Sequence, residues 1–147
     1  MNISAVIFDK DGTLFDFQST WGVWTGKVLA RIAGQDAVVL KNLAQALKYD
    51  VVTKKVLPDS LVVAGTPVEI SQVIHRFKPD MKVSDILSQI NEEAETAPQT
   101  LVTDLKLLIK QLRSQGLKLS VMTNDAERLA RMHLEAVDAL DLFDHVI

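Results

Sequence analysis

The sequence predicts an α/β protein, a parallel sheet with a large helical insertion after its first strand. Three observations predict it. The run Ile3-Ser4-Ala5-Val6-Ile7-Phe8 is almost continuously apolar, as is Leu117 to Met122, and runs of this kind suit parallel strands covered on both faces. Helically spaced segments stand before and after the second run, so that strand and helix alternate from residue 99 onward. Between the first strand and that alternation, residues 17–98 carry mainly helical spacing.

Each element has its own warrant. After Phe8, the stretch Asp11-Gly12-Thr13 is turn chemistry. Helical spacing runs from Trp21 to Ala33 and again from Asp36 to Tyr49, where Leu40, Leu43, Ala44 and Leu47 fall on one face. "DVVTKKVLPDS" breaks the pattern and reads as a loop or a short hairpin. Thr66-Pro67-Val68-Glu69 is a capping box with Pro at the first helical position, which predicts a helix to about Phe77, stopped by Lys78-Pro79-Asp80. A further helix spans Ser84 to Glu95, with Pro98 at its exit. Leu101, Leu105, Leu108 and Leu112 line the next helix, and Gly116 suits its C′ position. The second strand, Leu117 to Met122, ends in Thr123-Asn124-Asp125. Asn124 or Asp125 is expected to cap a helix with apolar Leu129, Met132 and Val137. Phe143 to Ile147 starts a third strand. The architecture is therefore a Rossmann-like core, residues 1–16 and 99–147, interrupted by a helical domain, residues 17–98.

Composition narrows the function classes. Charged residues make up 24% and the net charge is −3 without a basic stripe, which argues against nucleic acid as a partner. No apolar run approaches the ~20 residues of a membrane span. The N-terminus lacks the pattern of a signal peptide, and the absence of cysteine fits a reducing compartment, so a cytoplasmic setting is expected.

The chemistry sits at the strand ends. In open parallel sheets, ligands bind outside the carboxyl ends of the strands. Here the first strand ends in Asp9-Lys10-Asp11 and the second in Thr123-Asn124-Asp125. Two carboxylates, a hydroxyl and several loop N–H groups suit a phosphate: one carboxylate attacks while the hydroxyl and N–H donors hold the oxygens.

Asp9-Lys10-Asp11-Gly12-Thr13-Leu14 resembles the first signature of the haloacid-dehalogenase superfamily of phosphohydrolases, and the apolar strand ending in Thr123 resembles its second. The helical insertion is similar to the family's cap domain. "FDKDGTLFDF", "TNDAE" and "LFDHVI", in that order, resemble phosphoglycolate-phosphatase-type enzymes within it. The resemblance implies that Asp9 is the nucleophile and Asp11 the general acid and base. It implies that Thr123 and the Asn124 N–H bind the phosphoryl group. Mg²⁺ would bind a carboxylate oxygen of Asp9 and the main-chain carbonyl of Asp11, easing the repulsion between an anionic nucleophile and an anionic substrate. The implied partner is a small phosphorylated metabolite, phosphoglycolate first. Membrane P-type ATPases carry a similar motif with Thr where Asp11 stands.

The family's third signature, a phosphate-pairing Lys, and its fourth, an acidic metal-binding group, lie downstream of the third strand. This sequence ends at Ile147. The expectation is a fragment, a proteolysed product or a natural truncation, poorly active by itself, with its first strand as an open edge. The competing expectation is a non-catalytic remnant that self-associates through that edge, as a homodimer. A response-regulator-like phosphoacceptor shares the acidic cluster, but the long insertion counts against it.

Plainer readings stand beside these. Asp9 and Asp11 could belong to a turn, Thr123 could cap the following helix, and Asp16 suits a loop-closing acceptor. Strand alternation aims Lys10 away from Asp9 and Asp11, toward a salt bridge or solvent rather than phosphate. His75, His133 and His145 lack ligand spacing and are expected at the surface or satisfied by neighbours. Asp138, Asp141 and Asp144 read as solvated charges. Trp21 and Trp24 suit packing within the insertion, and Arg31, Lys54, Lys55 and Arg76 are the cations there that could meet a substrate carboxylate.

Overall fold

A computed structural model describes residues 3–147. Residues 1 and 2, which the sequence assigns to the core domain, lie outside the described residues. In chain order the elements are β1 (Ala5–Asp9), a π-helical turn (Gln18–Gly22), α1 (Val23–Ala33), α2 (Ala37–Ala46), β2 (Tyr49–Asp50), β3 (Lys55–Val56), α3 (Leu61–Ala64), α4 (Pro67–His75), α5 (Val83–Glu95), α6 (Leu105–Ser114), β4 (Lys118–Met122), α7 (Glu127–Glu135), a 3-10 turn (Leu140–Leu142) and β5 (His145–Val146). The chain divides into two compact units, one up to Phe17 and from Gln99 to Ile147, the other Gln18–Pro98. Among the described residues, no helix is long and apolar enough to cross a membrane.

The first unit is α/β. Its three strands are parallel in the order β1-β4-β5, with Ala5 opposite Lys118 and Asp9 opposite Met122. Leu119 and Val121 of β4 are fully buried, and α6 supplies Leu105 and Ile109 to the same core while α7 supplies Ala130 and Leu134. Leu14, Phe15, Phe143 and Val146 complete it. Each such large apolar side chain contributes about 1.5–3 kcal/mol on leaving water. β1 is covered on one face only, unlike the double coverage its sequence suggests. Val6 and Phe8 pack on the core, while Ile3 is 73% and Ile7 60% exposed. It is the edge strand of the sheet.

Helix boundaries follow local chemistry. α6 begins later than its leucine spacing implies, because Asp104 caps it by accepting from Leu107 N at 3.0 Å. Leu101 lies outside that helix and bridges Phe15 instead. Gly116 takes φ 78° just past the helix end, the left-handed conformation that releases the chain into β4. In α7 the buried face is Ala130, His133 and Leu134, whereas Leu129 and Met132 are only half-buried. Neither Asn124 nor Asp125 caps this helix; Ala126 occupies the N-cap with no side-chain bond.

The second unit is helical apart from the β2–β3 hairpin. The Thr66–Glu69 capping box is present in both directions. Trp24 is buried in it and donates its indole N–H to Ile90 O at 3.0 Å, while Trp21 meets Trp24 edge to face. Arg31 is held by Glu92 at 2.7 Å and Glu93 at 3.2 Å. The hydroxyl of Thr20 donates to Pro98 O at 2.8 Å, joining the first turn of this unit to its last residue. In the first unit, Asp16 N donates to Thr100 O at 2.8 Å, so the two segments that flank the insertion are also laced together.

Asp144, expected as a solvated charge, instead clips the sheet. It accepts from Leu119 N at 2.8 Å and from Arg113 at 3.3 Å, and Lys118 Nζ lies 3.6 Å away. The Leu119 N–H, ahead of the two cations, holds its carboxyl below the ordinary value. A carboxyl lowered in the folded state adds stability at pH above its unfolded value of about 4, and that stability is lost as pH falls through the lowered value. Asp144→Asn should therefore unfold at lower denaturant at neutral pH, and the gap to wild type should close in acid. Urea titrations across that range measure both.

Candidate active site

The site begins with how β1 ends. Lys10 leaves the strand, and its carbonyl accepts from both Leu14 N at 2.9 Å and Phe15 N at 3.1 Å. Gly12 N returns a bond to Phe15 O at 2.8 Å. Gly12 has φ 82°, which an L side chain would strain, so the tight return requires glycine there. Leu14 and Phe15 sink into the core and anchor the loop, and Val102 N bonds Leu14 O at 3.0 Å. The polar residues Asp9 to Asp11 are thereby held at the carboxyl end of the sheet by the apolar pair that follows them.

Asp9 is exposed, and one of its carboxylate oxygens accepts from Lys10 N at 2.8 Å. Because β1 and β4 run parallel, Thr123 follows directly after the partner of Asp9 and leaves the sheet at the same end. Thr123 is half-buried; its N–H bonds Ile147 O at 3.0 Å and its hydroxyl accepts from Asp125 N at 3.3 Å. That bond spans a turn rather than capping α7, and the hydroxyl keeps its proton to donate. Asn124 is exposed beside it.

Lys10 departs from expectation. Alternation predicts that it points away from Asp11, yet Lys10 Nζ binds Asp11 Oδ1 at 2.8 Å. Alternation holds only inside a strand, and β1 has already ended at Asp9. Lys10 is 0% exposed, and its ammonium also lies 3.0 Å from Asp125 Oδ2, 3.2 Å from His133 Nδ1 and 5.4 Å from the centre of the Phe15 ring. An ammonium only donates, so His133 Nδ1 is the acceptor, which puts the ring proton on Nε2. His133 is itself buried on the core side of α7. Asp125 and His133 are the residues that sequence reasoning missed. The signal was present for His133, which falls on one helical stripe with Ala130 and Leu134; Asp125 had no signal beyond lying next to Asn124.

Burial pushes the Asp125 carboxyl up, and the negative charge of Asp11 pushes the same way, while the Lys10 ammonium pulls it down. A hard cation takes oxygen ligands and keeps several waters, and the exposed Asp9 carboxylate is an oxygen of that kind. Among the described residues, no three His, Asp or Glu side chains converge as a metal cluster.

The parallel α/β sheet, with acidic residues and a threonine at its strand ends, has a Rossmann-like architecture. The haloacid dehalogenase-like hydrolase profile matches residues 3–147, and the chain belongs to that family. Solved structures share the fold. A predicted phosphatase from Clostridium difficile aligns at TM-score 0.64 and 19% identity, covering 100% of this chain and 61% of its own. A predicted phosphoglycolate phosphatase from Haemophilus somnus aligns at 0.62 and 17%, covering 99% and 62%. A predicted hydrolase of the same superfamily from Bacillus subtilis, solved bound to magnesium, aligns at 0.61 and 16%, covering 99% and 65%. The chain thus spans less than two thirds of the length of these neighbours. No curated protein sequence matches it.

Replacing Lys10 by Met removes the largest influence that lowers the Asp125 carboxyl and leaves burial and Asp11 both raising it. In Lys10→Met, the Asp125 carboxyl carbon should titrate at higher pH than in the wild type by ¹³C NMR. An unmoved or lower value would contradict the contact.

Proposed function

We propose that the whole protein hydrolyses a small phosphomonoester through an aspartyl-phosphate on Asp9. The observation that supports this reading is the parallel register that sets Asp9 opposite Met122, one residue before Thr123, so that both strands end at the same edge of the sheet. Neighbouring strands lie about 4.8 Å apart, a gap that one phosphoryl group can bridge.

In the first step an Asp9 oxygen bonds to phosphorus and the ester oxygen leaves, taking a proton from Asp11. In the second, Asp11 removes a proton from water, the water oxygen bonds to phosphorus, and the acyl–phosphate bond breaks to return Asp9 and inorganic phosphate. Lys10 occupies Asp11 Oδ1, which leaves Oδ2 to carry the proton. The Thr123 hydroxyl and the Asn124 N–H donate to the phosphoryl oxygens. Mg²⁺ held by the Asp9 carboxylate and the Asp11 carbonyl would supply positive charge against the repulsion of like charges.

Phosphoglycolate is the substrate we put first, supported by the phosphoglycolate phosphatase among the similar folds. The helical unit Gln18–Pro98 would act as the cap that selects it. We set the protein in the cytoplasm, in keeping with its lack of cysteine.

The full-length protein should release p-nitrophenol from p-nitrophenyl phosphate in Mg²⁺. EDTA should stop the reaction and added Mg²⁺ restore it. Asp9→Asn should abolish turnover, and Thr123→Val should lower kcat by about 10²-fold, the usual cost of one oxyanion donor. Turnover that survives Asp9→Asn would overturn the reading.

A second reading has its own observation: β1 is an edge strand with Ile7 exposed along it and Ile3 exposed just before it. Such an edge can pair with a second copy of the chain. Sedimentation velocity of the chain ending at Ile147 should then show a dimer, and Ile7→Lys should return it to monomer. A wild-type monomer at all concentrations would eliminate this association.

A further inference from the structure

We propose that Lys10 is a positioning residue of the site: it holds Asp11 by a single carboxylate oxygen and ties it through His133 and Asp125 to helix α7. The inference rests on the hydrolase reading above. A free lysine near two strand-end carboxylates would be a natural phosphate ligand, but this one is committed elsewhere. An ammonium has three N–H donors; this one hydrogen-bonds Asp11 Oδ1 at 2.8 Å and His133 Nδ1 at 3.2 Å, and pairs by charge with Asp125 Oδ2 at 3.0 Å. The side chain has no exposure, so a bound phosphate would have to open the core to reach it.

The cluster is also mechanically continuous. His133 sits on the buried face of α7 with Ala130 and Leu134, so its ring cannot move without the helix. Lys10 is bound at its far end by that ring and at its near end by the loop it starts, where its carbonyl accepts the Leu14 and Phe15 N–H groups. Asp11 lies one residue on, with its side chain 14% exposed, and Lys10 supplies its carboxylate hydrogen bond. Without Lys10, Asp11 is free to rotate about its side-chain bonds in a loop. With it, Oδ1 is fixed and Oδ2 is presented in one direction. A general acid must sit within hydrogen-bond reach of the leaving oxygen, so fixing its rotamer acts on the chemical step and not on substrate binding.

The test uses the full-length protein and p-nitrophenyl phosphate. Lys10→Met should lower kcat by about 10²-fold, the usual cost of misplacing a catalytic group by an ångström, with KM near its wild-type value. Asp125→Asn keeps the Lys10–Asp11 bond and should lose less. The double variant Lys10→Met/Asp125→Asn should be no slower than Lys10→Met, because Asp125 acts only through Lys10. It also removes the uncompensated carboxylate, so it carries the measurement if Lys10→Met fails to fold. Wild-type kcat in either folded variant, or a raised KM with kcat unchanged, overturns the inference. If Asp9→Asn leaves turnover intact, or the wild type has none, the hydrolase reading fails instead. Crystal structures of the wild type and the folded variant then decide: Asp11 leaving its wild-type rotamer supports the tie, and an unchanged rotamer removes it.

Discussion

One buried cation governs how the acidic residues at the end of the sheet can exist where they do. Taking an ammonium out of water costs several kcal/mol unless paired groups replace its hydration. Lys10 is fully enclosed, so the fold has to bring partners to it, and it does so from regions distant in sequence, the loop after β1, the turn before α7 and the last turn of α7. The same condition works in reverse for Asp125, whose carboxyl is raised by burial and held down by that ammonium. Each charge is tolerable because of the other. The loop and the helix are consequently fixed to one another by electrostatics where apolar packing stops.

Apolar packing does the complementary task. Leu14 and Phe15 descend into the core immediately after the acidic stretch, and their amides close on the Lys10 carbonyl. The motif is thus half polar and half apolar by necessity. Asp9 stays exposed at the rim, Lys10 is submerged, Asp11 is held between, and Gly12 supplies the only backbone geometry in which the return is this short.

The coarse fold was legible because it depends on local signals that agree with one another. The parallel strands, the Thr66 capping box, the hairpin in "DVVTKKVLPDS" and the glycine after α6 were all visible from spacing and turn chemistry. The misses share a cause. Lys10 and Leu101 fall where a period is extended beyond the point at which the element stops, and element ends are fixed by caps and tertiary bonds that a period does not encode. The acidic and hydroxyl positions at the strand tips could be named from sequence. The pairing of Asp125 and His133 with Lys10 could not be, since it depends on a side chain that reaches them from the other end of the chain. Asp144 was misjudged for the same reason: a carboxylate next to a strand looks solvated until the unpaired Leu119 N–H opposite it is known.

The lacing at the base of the helical unit has an evolutionary corollary. Thr20 meets Pro98 on one side of the junction and Asp16 meets Thr100 on the other. To the sheet, the whole insertion is therefore a loop whose ends are already closed, and closing a loop becomes only slowly more costly as it lengthens. Such a module can be exchanged, enlarged or trimmed without re-engineering its host. New surfaces could thus be grafted onto an unchanged sheet.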